Sequence, residues 1–253
     1  MSSPSSIVHY TSVEVVHILL DKALSSEDGQ ITLHLSSLTM MNDKGEKNYV
    51  LDKYFTDSTF KTEKKKEWDA EFYPFHLPFI FSTIPTDKDT KGKGSLPMWK
   101  MYGDNCKGAF VRFKGKTVED FCKKHDLIFE ACKYKTTKQV EELITSFNQH
   151  NTSFEKILKE ACLTKHTSWK YENEWRVVHL TSQEQVKTKP TPRGIVAFIE
   201  LQVPIDWIEE ICLGPLADVH TSLESLSILR DKLKTKFGAQ VHCNINSSKI
   251  SII

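Results

Sequence analysis

The run Trp169-Lys-Tyr-Glu-Asn-Glu-Trp-Arg-Val-Val-His-Leu180 decides how the C-terminal third of this chain is read. Glu174 to Leu180 is rich in β-branched and aromatic residues, the composition of a strand. On such a strand Glu172 and Glu174 lie two positions apart, so both carboxylates face one side while Trp175 and Val177 turn toward a core. Further strands are predicted at Gly194 to Leu201, Trp207 to Leu213 and Gln240 to Ile245, with one helix, Val219 to Lys236, among them.

Upstream the pattern continues. Thr136 to Glu160 predicts two helices broken near His150-Asn-Thr152. Strands are predicted at Ile7 to Tyr10, Ile31 to Ser36, Phe79 to Thr83, Gly108 to Phe113 and Leu127 to Tyr134. Val13 to Ala23 carries Val15, Val16, Leu19, Leu20 and Ala23 at helical spacing, with Thr11 or Ser12 as its cap. Met40 to Gly45 reads as a turn, and Asn48 to Glu71, with Lys61, Lys64, Lys65 and Lys66, as a solvated helix. Pro85 to Pro97, PTDKDTKGKGSLP, has the composition of a mobile lid. Strands dominate without a regular alternation with helices, which predicts α+β with antiparallel or mixed sheets. No linker stands out, so residues 1–253 are expected to form a single domain.

Composition narrows the classes further. The 253 residues include 34 Lys+Arg and 33 Asp+Glu, a formal net charge of +1. That balance argues against coating nucleic acid through bulk charge and leaves room for local patches. No apolar run approaches the roughly 20 residues of a membrane span, and Met1 to Ser6 lacks the regions of a secretory signal. Six cysteines without a CxxC pair point away from a disulfide scaffold and toward a reducing cytoplasm. Cys122-x-x-His125 with Cys132 lacks a fourth zinc partner. GxGxxG, GxxxxGK[ST], HExxH and GxSxG are all absent.

Three stretches remain denser in polar and aromatic groups than packing requires: His9 to Ser12, Trp99 to Gly103 and Trp169 to Arg176. Paired carboxylates repel, which raises one pKa, and such a pair suits stabilisation of an oxocarbenium-like centre. Each stretch also has a plainer reading, which local sequence favours. Glu174 would pair with Arg176 on a solvated edge strand, His9 would be a satisfied core histidine, and Trp99 and Tyr102 would be core aromatics.

Taken in order along the chain, these stretches are more specific. His9-Tyr-Thr-Ser12, Met41-Asn-Asp43, Trp99-Lys-Met-Tyr-Gly103, Trp169 to Arg176 and Leu213-Gly-Pro215 resemble the motifs of a bacterial family of unknown function. That family is similar in turn to a remote branch of the ADP-ribosyltransferase superfamily. The resemblance implies two mostly antiparallel sheets forming a split core with flanking helices. It implies an NAD-dependent mono-ADP-ribosyltransferase, a toxin or phage-defence effector, with NAD as co-substrate and a nucleic-acid or protein acceptor. An antitoxin partner belongs to the same setting. A non-catalytic nucleotide- or partner-binding module on the same fold, and an NAD glycohydrolase, are the alternatives.

The resemblance also implies roles. Glu174 would be the reactive glutamate, binding the ribose 2′-hydroxyl and helping to deprotonate the acceptor, with Glu172 as its companion. His9 would bind a ribose hydroxyl, with Thr11 or Ser12 as the hydroxyl nearby. Tyr10 stands where a glycine often follows the histidine. Ser82 or Tyr102 would fill the middle-strand position, and Tyr102 or Trp99 would stack on nicotinamide or adenine. Arg176 or Arg112 would meet the pyrophosphate. Thr164 to Lys170, with Lys165, His166 and Lys170, would be an acceptor-recognising loop whose basic character favours an anionic acceptor.

Overall fold

The computed structural model describes residues 3–38, 49–56, 66, 77–86, 94–191 and 194–250. The expected turn at Met40 to Gly45, most of the expected helix at Asn48 to Glu71, and the centre of the Pro85 to Pro97 loop lie outside them. The described residues are α+β, as expected. They fall into two compact units: Met1–Leu33, Thr83–Lys124 and Leu201–Ile253 form one, and His34–Ser82 with His125–Glu200 form the other.

In the first unit, β4 (Ala109–Lys114) is flanked by two antiparallel neighbours, β1 (Ser6–Thr11) and β11 (Ile208–Leu213). Strand β12 (Asn244–Ser247) runs parallel to β11, and the end of β3 (Leu77–Pro85) pairs with β1 through Ile84 and Pro85. The sheet is therefore mixed. Val8, Tyr10, Phe110 and Cys212 share one buried cluster with Met98 and Trp99 of α3 (Leu96–Tyr102). Trp99 stacks on Phe110 at 5.4 Å and meets the edge of Tyr10 at 4.9 Å. Helix α1 (Val13–Ser25) begins at Ser12, whose side chain accepts the Val15 N–H at 3.2 Å; that leaves Thr11 on the strand. Val16, Leu19, Leu20 and Ala23 are buried, whereas Val15 faces solvent. Helices α4 (Gly115–Lys124) and α7 (Val219–Phe237) complete this unit.

In the second unit, β5 (Ile128–Ala131) pairs antiparallel with β8 (Trp175–Thr181), and β8 also pairs with β3. Strand β2 (Gln30–Ser37) pairs with β3 through Ser36 and Ser37. Strands β9 (Lys187–Thr191) and β10 (Gly194–Pro204) form a hairpin. A separate parallel pair joins β6 (Lys133–Lys135) to β7 (Thr164–His166). Helices α2 (Leu51–Thr56), α5 (Thr137–Gln149) and α6 (Phe154–Leu163) pack with Leu38, Ile80 and Val178 in one apolar core. A capping box between Thr136 and Gln139 starts α5. The chain then breaks at Asn151, in left-handed backbone at φ 46°, so the expected pair of helices is present.

One predicted strand is divided. Leu127 to Tyr134 forms β5 and β6, separated by Cys132, whose N–H donates to the Glu174 carbonyl at 2.8 Å. That bond continues the β5–β8 register one pair beyond Ala131 and Trp175, after which Lys133 turns to pair with β7.

Candidate functional site

The second unit holds a buried cluster of four charges. Lys165 Nζ donates to both carboxylates, to Glu172 Oε2 and, at 2.8 Å, to Glu174 Oε2. Arg176 Nε donates to Glu174 Oε1 at 2.8 Å and its Nη2 to Glu174 Oε2 at 3.1 Å. Arg176 Nη1 donates to the Cys162 carbonyl. Relative exposures are 2% for Lys165, 3% for Glu172, 5% for Glu174 and 0% for Arg176. Two cations face two anions, so the set is formally neutral, as a buried cluster must be.

Local backbone explains the convergence, and it is not the one expected. Glu172 and Glu174 do not share a strand face. Glu172 ends a 3₁₀ turn (Thr167–Glu172), and β8 begins only at Trp175. Asn173 between them adopts left-handed backbone (φ 47°, ψ 45°), which asparagine tolerates. That reversal brings the two side chains onto Lys165. The solvated-edge reading of Glu174 is also corrected: its Arg176 partner is present, but the pair is buried beside β5 rather than exposed.

Lys165 belongs to this cluster and not to a basic surface loop. It sits on β7 opposite Tyr134 of β6, and the Tyr134 hydroxyl accepts the Glu174 N–H at 2.8 Å. Desolvation raises the Tyr134 pKa, which keeps the phenol neutral. Nothing in the pattern Cys162-Leu-Thr-Lys165 marks the lysine as buried; the signal was the pair of acids within nine residues that required a cation. Trp169 lies over the ammonium, with Nζ 5.5 Å from its ring centre. Beyond it Tyr171 is 55% exposed, 6.1 Å from the Trp169 ring. His166 caps the 3₁₀ turn by accepting the Ser168 N–H, and Lys170 is exposed.

Electrostatics set the state of Glu174. Burial pushes its pKa up, but the Arg176 and Lys165 charges outweigh that and hold it at about 2. The carboxylate is therefore ionised at neutral pH. Three of its roughly four acceptor sites are occupied among the described residues. The carboxylate's charge is already offset by Lys165 and Arg176. Its low basicity argues against the expected second task of deprotonating an acceptor.

The other expected residues are distributed as follows. His9 is half-buried on β1, and Thr11 and Ser12 close that strand and cap α1. Tyr10 is buried; its hydroxyl accepts the Ser95 N–H at 2.9 Å, and burial pushes its pKa up to about 12. Trp99 is wholly buried, with one face on Phe110, so it is a core aromatic here and not a stacking surface. Ser82 lies half-buried on β3, whereas Tyr102 ends helix α3, so only Ser82 occupies a strand. Arg112 is buried on β4 and donates to Glu210 Oε2 at 2.8 Å. Cys122 and Cys132 are free thiols, and among the described residues no group of three or more His, Cys, Asp or Glu is placed to hold a metal ion. No helix among the described residues is long and apolar enough to cross a membrane.

Residues 98–177 match a family described as a protein of unknown function (DUF2971). The matched stretch begins within α3 and ends just after Arg176, so it includes both Trp99 to Gly103 and the whole charged cluster. No curated protein and no solved structure matches the chain.

Proposed function

We propose that this chain is an NAD-dependent mono-ADP-ribosyltransferase built on a split ADP-ribosyltransferase-like core, with Glu174 as its reactive carboxylate. One observation carries the reading: Glu174 is held ionised by two buried cations, beside a second glutamate, at the entry to a central strand. Cleaving the nicotinamide bond of NAD leaves positive charge on the ribose, and a fixed anion in a dry setting stabilises that charge without reorganising. Glu172 serves as the companion acid, and His9, with Thr11 and Ser12 nearby, is assigned the ribose contact. The acceptor is a nucleic acid or a protein, and a toxin or defence role in the cytoplasm, held in check by an antitoxin, fits such chemistry.

The same geometry also favours a second reading, a non-catalytic nucleotide- or partner-binding module. Its supporting observation is that Lys165 and Arg176 already occupy three acceptor sites of Glu174. Incubation of the folded chain with radiolabelled NAD, RNA, DNA and lysate protein separates these readings. Transfer of label that falls at least about 100-fold in Glu174→Gln supports the transferase. Free ADP-ribose as sole product identifies a glycohydrolase. NAD binding without nicotinamide release, unchanged in Glu174→Gln, establishes the binding module, and the transferase reading is then withdrawn.

A further inference from the structure

The first unit contains a polar cavity of about 520 Å³ that the proposed NAD chemistry does not use. Arg112 of β4 and Glu209 and Glu210 of β11 line it, with Asn246 and Lys249 at its β12 side. A β-bulge between Ile208 and Glu210 interrupts the β11–β4 register, so the two consecutive glutamates both line one cavity instead of alternating. Around it runs a continuous chain of polar contacts. Asn246 donates to Glu210 Oε1 at 2.8 Å, and Arg112 Nε donates to Glu210 Oε2. Arg112 Nη1 donates to the Thr86 hydroxyl at 2.6 Å, which reaches the Ser6 carbonyl at 3.4 Å. The Ser6 hydroxyl donates to Glu209 Oε2 at 2.7 Å.

One group in this chain is unsatisfied. Arg112 is only 3% exposed, and its Nη2 is buried with no hydrogen-bond partner among the described residues. A charged donor in that state is costly to leave unmade and invites an acceptor from outside the chain. Free anions are poorly suited, because Glu209 and Glu210 line the same cavity and their charges balance Arg112 and Lys249. The complementary ligand is neutral. It offers an acceptor to Arg112 and, beside it, an N–H to Glu209.

We infer that this cavity binds the lactam edge of a nucleobase, where a ring C=O stands next to a ring N–H, as in guanine and uracil. Arg112 takes the carbonyl and Glu209 the N–H, both on the Watson–Crick edge that an unpaired base leaves open. Arg112 thereby reads a base rather than a phosphate.

Calorimetric titration of the full chain with guanosine, inosine, uridine, adenosine and cytidine tests this. Guanosine, inosine and uridine are expected to bind at least about tenfold more tightly than adenosine and cytidine, which lack that edge. Glu209→Gln is expected to weaken the lactam nucleosides about tenfold or more, and Arg112→Gln likewise. Arg112 is buried, so if its variant does not fold, Glu209→Gln alone decides. No binding at millimolar nucleoside, equal binding of all five, or unchanged binding in Glu209→Gln would each overturn the assignment. Since NAD turnover is not measured, this outcome is independent of the transferase test.

Discussion

Arg176 reaches back two residues and holds both oxygens of Glu174, with Nε 2.8 Å from Oε1 and Nη2 3.1 Å from Oε2. The fork is out of contact with solvent, and its third nitrogen, Nη1, ties the pair to the end of helix α6 through the Cys162 carbonyl. One side chain thus links the start of β8 to α6 and fixes the ionisation of its neighbour. Lysine offers no such fork, so this position needs arginine for geometry as well as charge.

Removing that side chain should be severe. Arg176→Leu leaves Glu172 and Glu174 sharing the single charge of Lys165, and uncompensated buried charge costs about 3–5 kcal/mol. Urea unfolding followed by circular dichroism measures it. Arg176→Lys should fall between wild type and Arg176→Leu. A loss under about 1 kcal/mol in Arg176→Leu would show that the cluster is solvated or dispensable.

Acid should act through Glu174. Its folded pKa of about 2 lies below the ordinary 4.5, so the stabilisation is fully present above about 4.5 and is lost as pH falls toward about 2. The shift corresponds to about 3 kcal/mol at neutral pH. Wild type and Glu174→Gln should therefore differ most above pH 5 and converge in acid. Stability curves that stay parallel from pH 6 to pH 3 would contradict the assignment.

Gly94 should resist substitution. It has φ +72°, and an added Cβ would lie 2.6 Å from Trp99 Nε1 and 2.8 Å from the Tyr10 hydroxyl oxygen. Both the backbone conformation and the space exclude a side chain. Gly94→Ala is expected to destabilise the chain by about 1–3 kcal/mol and to lower its thermal midpoint. An unchanged midpoint would mean that the Tyr10–Trp99 packing can yield.

The thiols should be silent in the native state. All six cysteines are free and buried, and burial pushes Cys122, Cys162, Cys212 and Cys243 up to about 12. A thiolate-selective reagent at pH 7.5 is expected to label these four only after denaturation, when all six react. Rapid native labelling of any of the four would show local opening.

Much of the scaffold was legible because it rests on local periodicity. Val16, Leu19, Leu20 and Ala23 repeat at helical spacing, and Ser12 is a cap by its own side-chain chemistry. The strands at Ile7 to Tyr10, Gly108 to Phe113 and Trp207 to Leu213 appear within a few residues of their predicted limits. Local pattern failed where one residue changed the backbone. Asn173 carries Glu172 off the strand, and the predicted Leu127 to Tyr134 strand is divided at Cys132, where the chain changes partner from β8 to β7. Trp99 looked available for stacking because an aromatic beside a glycine-rich loop is ambiguous until its neighbours are known; Tyr10 and Phe110 enclose it.

The amino-acid sequence by itself determined the α+β class, many of the strands and the presence of a paired glutamate motif next to an arginine. These depend on spacing along the chain. Only the tertiary structure decided that Lys165 is buried between those glutamates and that Tyr134 receives the Glu174 N–H. It alone decided, too, that a bulge sets Glu209 and Glu210 around an arginine with a nitrogen unpartnered among the described residues. The physical reason is the same in each case. A charge is defined by its partners and by the water it has lost, and both are supplied by residues distant in sequence.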